Sequence, residues 1–298
     1  MIHHLNRAAG LCLTAALLLT AAGCGQQTVP ESPSPSPVVE TAAADKNDLT
    51  VVRSMELQYA NNFAVDYCAN GCKIITDGAG QKFLWVPEGG EAPDDTGDMT
   101  VLQAPLTKLG CFSTTHATLF HAIGALDKVS LVTTDKDKWH IEQVAQQIED
   151  GTTTYVGKNS APDYELISAA APQIILISAN TMHGSDEVLA KLDELGIPYI
   201  ADSQHLENHP LGRVEWVKLV GALLDMEEEA DAYFDEEVQR VNAVAESVAG
   251  ESEHPTILQT YIFKGTVYVR NGGDYVNKML EPVSYTHLRA HETKANLV

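Results

Sequence analysis

From Cys111 onward the chain alternates short apolar runs with amphipathic stretches, and this rhythm restricts the fold more than any other feature. Val129-Ser130-Leu131-Val132, Ile174-Ile175-Leu176-Ile177 and Pro198-Tyr199-Ile200 show almost no polar alternation, so each predicted strand needs cover on both faces. Between them, Leu119, Phe120, Ile123 and Leu126 form a helical stripe, and Trp139 to Ile148 is helical again. Pro162 sits at the first turn of a short helix through Ala170. Ser185 caps a helix from Asp186 to Leu195, which Gly196 ends. Repeated β-α-β with apolar strands predicts a parallel sheet clad by helices on both sides.

The segment before it is different. Residues 55–104 are β-rich, with strands expected at Phe63 to Cys68, Cys72 to Thr76 and Lys82 to Val86, then a turn-rich acidic loop from Pro87 to Asp98. Asn70-Gly71 signals a hairpin, and a three-residue loop places Cys68 opposite Cys72. Two readings stay open there: a cross-strand disulfide, suited to an exported protein, or two free thiols. After the α/β stretch, Leu211 to Ala249 is helical, with a break near Leu224-Asp225-Met226 where Asp225 is expected to cap the second part. That part, Glu227 to Val248, is about 33 Å long at ~1.5 Å per residue, a rigid strut. Thr256 to Thr260 and Thr266 to Val269 restart β structure, and Asp274 to Leu280 starts a helix.

Neither end belongs to the fold. Residues 1–23 read as a signal peptide, with Arg7 as the positive region and Ala8 to Ala22 as the apolar core. Ala21-Ala22-Gly23-Cys24 resembles a bacterial lipobox, which implies cleavage before Cys24 and a diacylglycerol on its sulfur. Residues 24–50 then hold the lipidated Cys24 and a Pro/Ser-rich tether. At the other end, residues 283–298 are basic and lack periodicity; they resemble an adaptor-derived tail and are expected to be non-native.

The chain has 41 acidic and 19 basic side chains, a formal charge of −22. That excludes nucleic acid, whose binding needs a Lys/Arg surface, and electrostatic adhesion to anionic lipid. No Gly-x-Ser-x-Gly elbow, His-Glu-x-x-His or Walker loop is present, so covalent catalysis is not expected.

Pro162-Asp163-Tyr164-Glu165-Leu166-Ile167 with Pro172-Gln173-Ile174-Ile175-Leu176 resembles a segment of the N-terminal lobe in class III substrate-binding proteins of ABC importers for iron–siderophore, haem and corrinoid uptake. His209-Pro210-Leu211-Gly212-Arg213-Val214-Glu215-Trp216 is similar to the opening of the interlobe helical region in one branch of that family. Gly265-Thr266-Val267-Tyr268-Val269 with Gly272-Gly273-Asp274-Tyr275-Val276 is similar to the start of its second lobe. The resemblance covers roughly Met55 to Pro282. It implies an α/β fold of two Rossmann-like lobes joined by a long interlobe helix, here with the second lobe incomplete. The N-terminal lobe would span 51–210 with its β-rich start, the helical strut 211–250 and the beginning of the C-terminal lobe 251–282. The implied partners are an ABC permease and its ATPase, a metal-chelate small molecule and the membrane through the lipid anchor. The address would be extracytoplasmic and the protein a monomer, with no resident cofactor.

Ligands of such folds sit where loops converge at the carboxyl ends of the strands. Ser113, Thr114, Thr115 and His116 follow the first strand, although Thr114 or Thr115 could equally serve as plain helix caps. Asn180, Met182 and His183 follow the second, and His205 the third. Lys136, Trp139 and Lys158 could add charge and an aromatic face, with Arg213, Tyr261 and Arg270 as weaker candidates. Arg213 and Glu215 also read as local charge at a helix opening, and Trp216 as packing between lobes. The resemblance assigns Glu165 to docking on the permease. An alternative cargo is bare Zn²⁺ or Mn²⁺ held by His116, His183, His205 and an acid. An incomplete second lobe would leave Ile257, Leu258, Ile262 and Val267 exposed.

Overall fold

The structure is a computed structural model that describes residues 45–178, 185–250, 252, 256–270, 275–281 and 286–287. The chain divides into two units, Met1–Ala42 and Ala43–Val298, and every described residue belongs to the second. The signal peptide, Cys24, most of the tether and the candidates Asn180, Met182 and His183 lie outside the described residues.

A five-stranded sheet comes first: β1 (Val51–Ser54), β2 (Ala64–Cys68), β3 (Lys73–Thr76), β4 (Lys82–Val86) and β5 (Thr100–Gln103), in that spatial order. Its pairs are antiparallel except β4 with β5. The three strands expected from β-branched and aromatic runs are β2, β3 and β4.

The second sheet is wholly parallel. Its strands are β6 (Leu109–Cys111), β7 (Val129–Val132), β8 (Thr154–Tyr155), β11 (Ile174–Ser178) and β12 (Tyr199–Asp202), ordered β12-β11-β6-β7-β8. Between β8 and β11 lie the short pair β9 (Gly157–Lys158) and β10 (Ala161–Pro162). The helices are α1 (Thr114–Ala122), α2 (Glu142–Glu149), α3 (Tyr164–Ala170) and α4 (Ser185–Leu195). Strand parity shows why β11 had to be apolar throughout. Ile174 and Leu176 join the α1–α2 side of the core, while Ile175 and Ile177 face Ile167 of α3 and Val188 and Leu192 of α4. The α1 side also takes Phe63, Val65, Ile75 and Trp85 from the first sheet, so the two sheets share one core.

Three helices follow: α5 (Pro210–Glu215), α6 (Val217–Leu224) and α7 (Glu227–Val248). The break comes where expected, but Asp225 does not cap α7. It takes the left-handed conformation, φ 59°, as the C-cap of α6, and its carboxylate binds Lys73 at 2.9 Å. Lys73 is buried; it also pairs with Glu227 and lies 4.0 Å from the Trp85 ring centroid, bolting the first sheet to the start of α7. Pro162 lies in β10 and not in the first turn of α3, which starts at Tyr164 and is capped by Asp163, accepting from the Glu165 and Leu166 amides.

The last elements are β13 (Thr256–Ile257), β14 (Thr260–Phe263), β15 (Thr266–Val269), α8 (Tyr275–Leu280) and β16 (Thr286–His287), which pairs in parallel with β13. The β14–β15 hairpin is exposed, with Ile262 at 73% and Val267 at 52%, and Leu258 is exposed as expected, whereas Ile257 is half-buried. Among the described residues no helix is long and apolar enough to cross a membrane.

Candidate functional site

In the parallel sheet β6 leads to β7 and β8 on one side and to β11 and β12 on the other. The connection therefore reverses direction between β6 and β11. In sheets of this topology the crevice lies at the carboxyl ends of the two strands that flank the reversal. A cleft of about 360 Å³ opens there, a size suited to a small ligand.

One wall is α1. Thr115, Thr118, Leu119 and Ala122 recur at helical spacing and share the face that lines the cleft. The floor is Ser178, the last residue of β11. The opposite wall carries Gln204 and His205 from the turn after β12, Arg213 and Val214 from α5, and Tyr233 from α7. Among the described residues the lining holds one guanidinium and no carboxylate, inside a chain of charge −22. A second groove, about 450 Å³, lies between β1–β2 and α7. It carries Glu56, Glu227, Glu228, Asp231 and Asp235 against Arg53 and Lys218, and it is remote from the strand ends.

Behind the floor lies a buried polar pair. The His116 Nε2 is 3.4 Å from the Ser178 hydroxyl and 3.5 Å from Asp202 Oδ2, and both His116 and Asp202 are wholly buried. Asp202 also accepts from the side chain and backbone of Gln204. Burial pushes the His116 imidazole below its ordinary pKa, and the Asp202 carboxylate and Leu176 carbonyl oppose that shift. His116 is thus beneath the cleft, not in it. Expecting it as a ligand fails because α1 turns its side chain toward β11 and β12. Ser113 is the N-cap of α1, accepting from the Thr115 amide, in place of Thr114 or Thr115. Thr114 is exposed outside the lining.

The structure brings together Thr115, His205 and Arg213 among the expected residues. Arg213 donates to the His205 carbonyl at 2.7 Å and lies 3.4 Å from the Tyr275 ring centroid, which holds α8 against α5. Lys136 pairs with Glu149 at 3.3 Å, and the Trp139 indole donates to the Thr134 carbonyl. Lys158 is exposed on β9. None of these three lines the cleft. Tyr261 stacks on Tyr268 at 5.0 Å across the β14–β15 hairpin, and Arg270 lies over Tyr261; neither reaches the cleft. Glu165 is exposed on the first turn of α3.

Sequence reasoning missed how the wall is held. Glu215 is wholly buried and accepts from the amides of Gln58, Tyr59 and Ala60, each at 2.8 Å. Glu207 accepts from the amides of Asn61 and Asn62 and from the Trp216 indole. Two carboxylates thereby capture five consecutive backbone donors. Trp216 packs on Phe63 at 4.9 Å within this lobe, so placing it between lobes was wrong. Gly212 lets α5 approach: a Cβ there would lie 2.9 Å from the Tyr59 carbonyl oxygen. His209 caps α5 through Nδ1 and stacks on Tyr59 at 4.4 Å.

A helix-clad parallel sheet with a cleft at its switch point is the setting in which such folds hold small ligands. The periplasmic binding protein family model matches residues 111–294, and the chain belongs to that family, which is one of binding proteins and not enzymes. The five-stranded sheet β1–β5 precedes the matched region. Two uncharacterized lipoproteins of Methanocaldococcus jannaschii are similar. One is 34% identical over 175 residues, 55% of this chain and 41% of the relative. The other is 23% identical over 209 residues, 68% of this chain and 52% of the relative. The chain thus spans about half the length of these relatives. A possible iron-binding (periplasmic solute-binding) protein from Staphylococcus epidermidis superposes with a TM-score of 0.50 at 17% identity, covering 61% of this chain and 66% of that one. The holo-ViuP structure superposes at 0.52 and 13% identity, covering 73% and 66%. At such identities the likeness is one of fold.

Proposed function

We propose that this chain is the lipid-anchored, extracytoplasmic receptor of an ABC importer and that it captures an anionic metal chelate of the siderophore, haem or corrinoid class. The observation that carries the reading is the switch-point cleft, which the described residues line with Arg213, hydroxyls and Tyr233 and with no carboxylate, on a strongly acidic chain. Such a site attracts an anion locally against the field of the whole protein. Tyr233 and the aliphatic Leu119 and Val214 offer flat and apolar contact to a chelate's organic part. Family membership and the lipoprotein relatives support the extracytoplasmic address and the anchor at Cys24. Glu165, exposed on the first turn of α3, is the proposed contact to the permease.

Bare Zn²⁺ or Mn²⁺ is the second reading. Its ligands would be His116, His183, His205 and an acid; His116 is buried beneath the cleft, 3.5 Å from Asp202, and His183 lies outside the described residues. Titration of the chain with ferric chelates, haem and a corrinoid against ZnCl₂ and MnCl₂, followed by tryptophan fluorescence, tests both. We expect saturable binding of one chelate class and a loss of about tenfold or more in Arg213→Gln, the scale of a charge-assisted bond. Stoichiometric binding of the bare ions without any chelate would overturn the reading.

A further inference from the structure

We propose that Cys68 and Cys72 form a modification site: in the exported protein their thiols join in an intramolecular disulfide across the β2–β3 hairpin. The pairing follows from register. Tyr67 lies opposite Lys73, so the next pair outward is Cys68 and Cys72. The Cys68 amide donates to the Cys72 carbonyl at 2.8 Å, and the Gly71 amide donates to the Cys68 carbonyl at 3.0 Å. Gly71, at φ 84°, takes the left-handed conformation that a three-residue loop requires. Directly opposite residues of a hydrogen-bonded antiparallel pair lie about 5.5 Å apart at Cα, within the roughly 4.4–6.8 Å that a disulfide spans.

Both side chains point to the same side. They are 5% and 2% exposed and pack with Leu84 and Val86 in a small core of their own. Cys111 is buried in the main core with β6 and α1, a separate cluster, and is not a competing partner. The hairpin also holds the point at which the chain enters the fold. The Ala69 and Asn70 amides donate to the carbonyls of Thr50 and Asp48, and the Asn70 side chain donates to the Lys46 carbonyl at 2.7 Å. A covalent closure there would fix the loop that grips the segment joining tether to body.

The thiols are free in the structure. Oxidation needs a two-electron acceptor, which outside the cytoplasm is a protein or small-molecule disulfide. One cysteine thiolate attacks that disulfide, forming a mixed disulfide and expelling the first acceptor sulfur as a thiolate. The second cysteine thiolate then attacks the mixed disulfide and expels the other. The acceptor gains two electrons, and the two cysteine protons end on its two thiols. Burial raises both thiol pKa values, so the exchange belongs to the hairpin before it packs.

The test is peptide mapping of the full chain recovered from the cell envelope, denatured and alkylated without reductant. Trypsin cuts after Arg53 and Lys73, so both cysteines fall in one peptide, Ser54 to Lys73. We expect that peptide unalkylated and lighter by two hydrogens than its reduced form, with Cys111 alkylated in the same sample. In Cys72→Ser we expect Cys68 to be alkylated. Recovery of Cys68 and Cys72 both alkylated, or of either joined to Cys111 or to a second chain, would overturn the proposal. The inference needs the extracytoplasmic address alone; a reduced pair in a chain that binds its chelate refutes the disulfide and leaves the receptor reading intact.

Discussion

Replacing Glu215 by Gln keeps the shape of a wholly buried side chain and removes its charge. The carboxylate accepts three backbone amides at 2.8 Å, one on Oε1 and two on Oε2, and lies 3.7 Å from the Lys218 ammonium. A glutamine has one acceptor oxygen. Turned toward Tyr59 and Ala60, it presents its own NH₂ to the part-buried Gln58 amide, leaving that donor unmet at a cost of about 1–3 kcal/mol. The two surviving bonds fall from charge-assisted to neutral, roughly 1 kcal/mol each. Lys218 loses little, because Asp231 remains 3.1 Å away. The expected loss is about 3–5 kcal/mol, a large fraction of the ~5–15 kcal/mol that holds a typical domain. At roughly 2–4 °C per kcal/mol for a body of this size, the midpoint should fall by about 6–20 °C. Urea unfolding followed by tryptophan fluorescence measures it, with Trp216 beside the altered site. Native-state hydrogen exchange should also show the amides of residues 58–60 opening together. A loss below about 1 kcal/mol, the worth of an ordinary surface change, would refute the capture of backbone donors as what anchors this wall.

Acid should weaken the fold through His116. Its native pKa is depressed below 6.5, so as pH falls through 6.5 the unfolded chain gains a proton that the buried imidazole refuses. Stability then declines by up to about 1.4 kcal/mol per pH unit until the native pKa is reached, and urea midpoints measured down to roughly pH 5 should show a slope that His116→Asn flattens. Gly212→Ala should cost about 1–3 kcal/mol in thermal melting, because the added methyl must push back the Tyr59 backbone; an unchanged melt would show that α5 slides freely. Glu165→Ala should leave chelate affinity unaltered and reduce uptake in cells, and undiminished uptake would remove Glu165 from the permease contact.

Much of the fold was legible because strands and helices announce themselves locally. Ile174 to Ile177 could not be a half-exposed strand, and α7 covers the expected span, Glu227 to Val248. The break at Asp225 was visible, but its sense was not: whether an Asp caps the helix before or after it depends on Lys73, 152 residues away. β8, β9 and β10 are two residues long each, too short to carry a period. The cleft was legible as a place, at the strand ends, and only partly as a set of residues. Thr118 stands one turn beyond Thr115 and could have been found from helical spacing. Tyr233 could not, since nothing local says which face of α7 lines the cleft. Glu215 read as a helix charge, and the anchoring role of Glu207 went unseen, because the partners of both are largely backbone amides, which leave no mark on the sequence.

The helix α7 is held along its first four turns and extends unheld beyond them. Ala230 and Phe234 are buried, Tyr233, Val238 and Val241 pack on the core, and Glu227 is tied to Lys73, whereas Val244 is 52% exposed. Only the last turns therefore form a cantilever, about 10 Å long at ~1.5 Å per residue. A tilt of about 5° there moves the tip by roughly 1 Å. Tyr233, which touches the cleft, lies within the held part, so the cleft wall it supplies is as stiff as the core behind it.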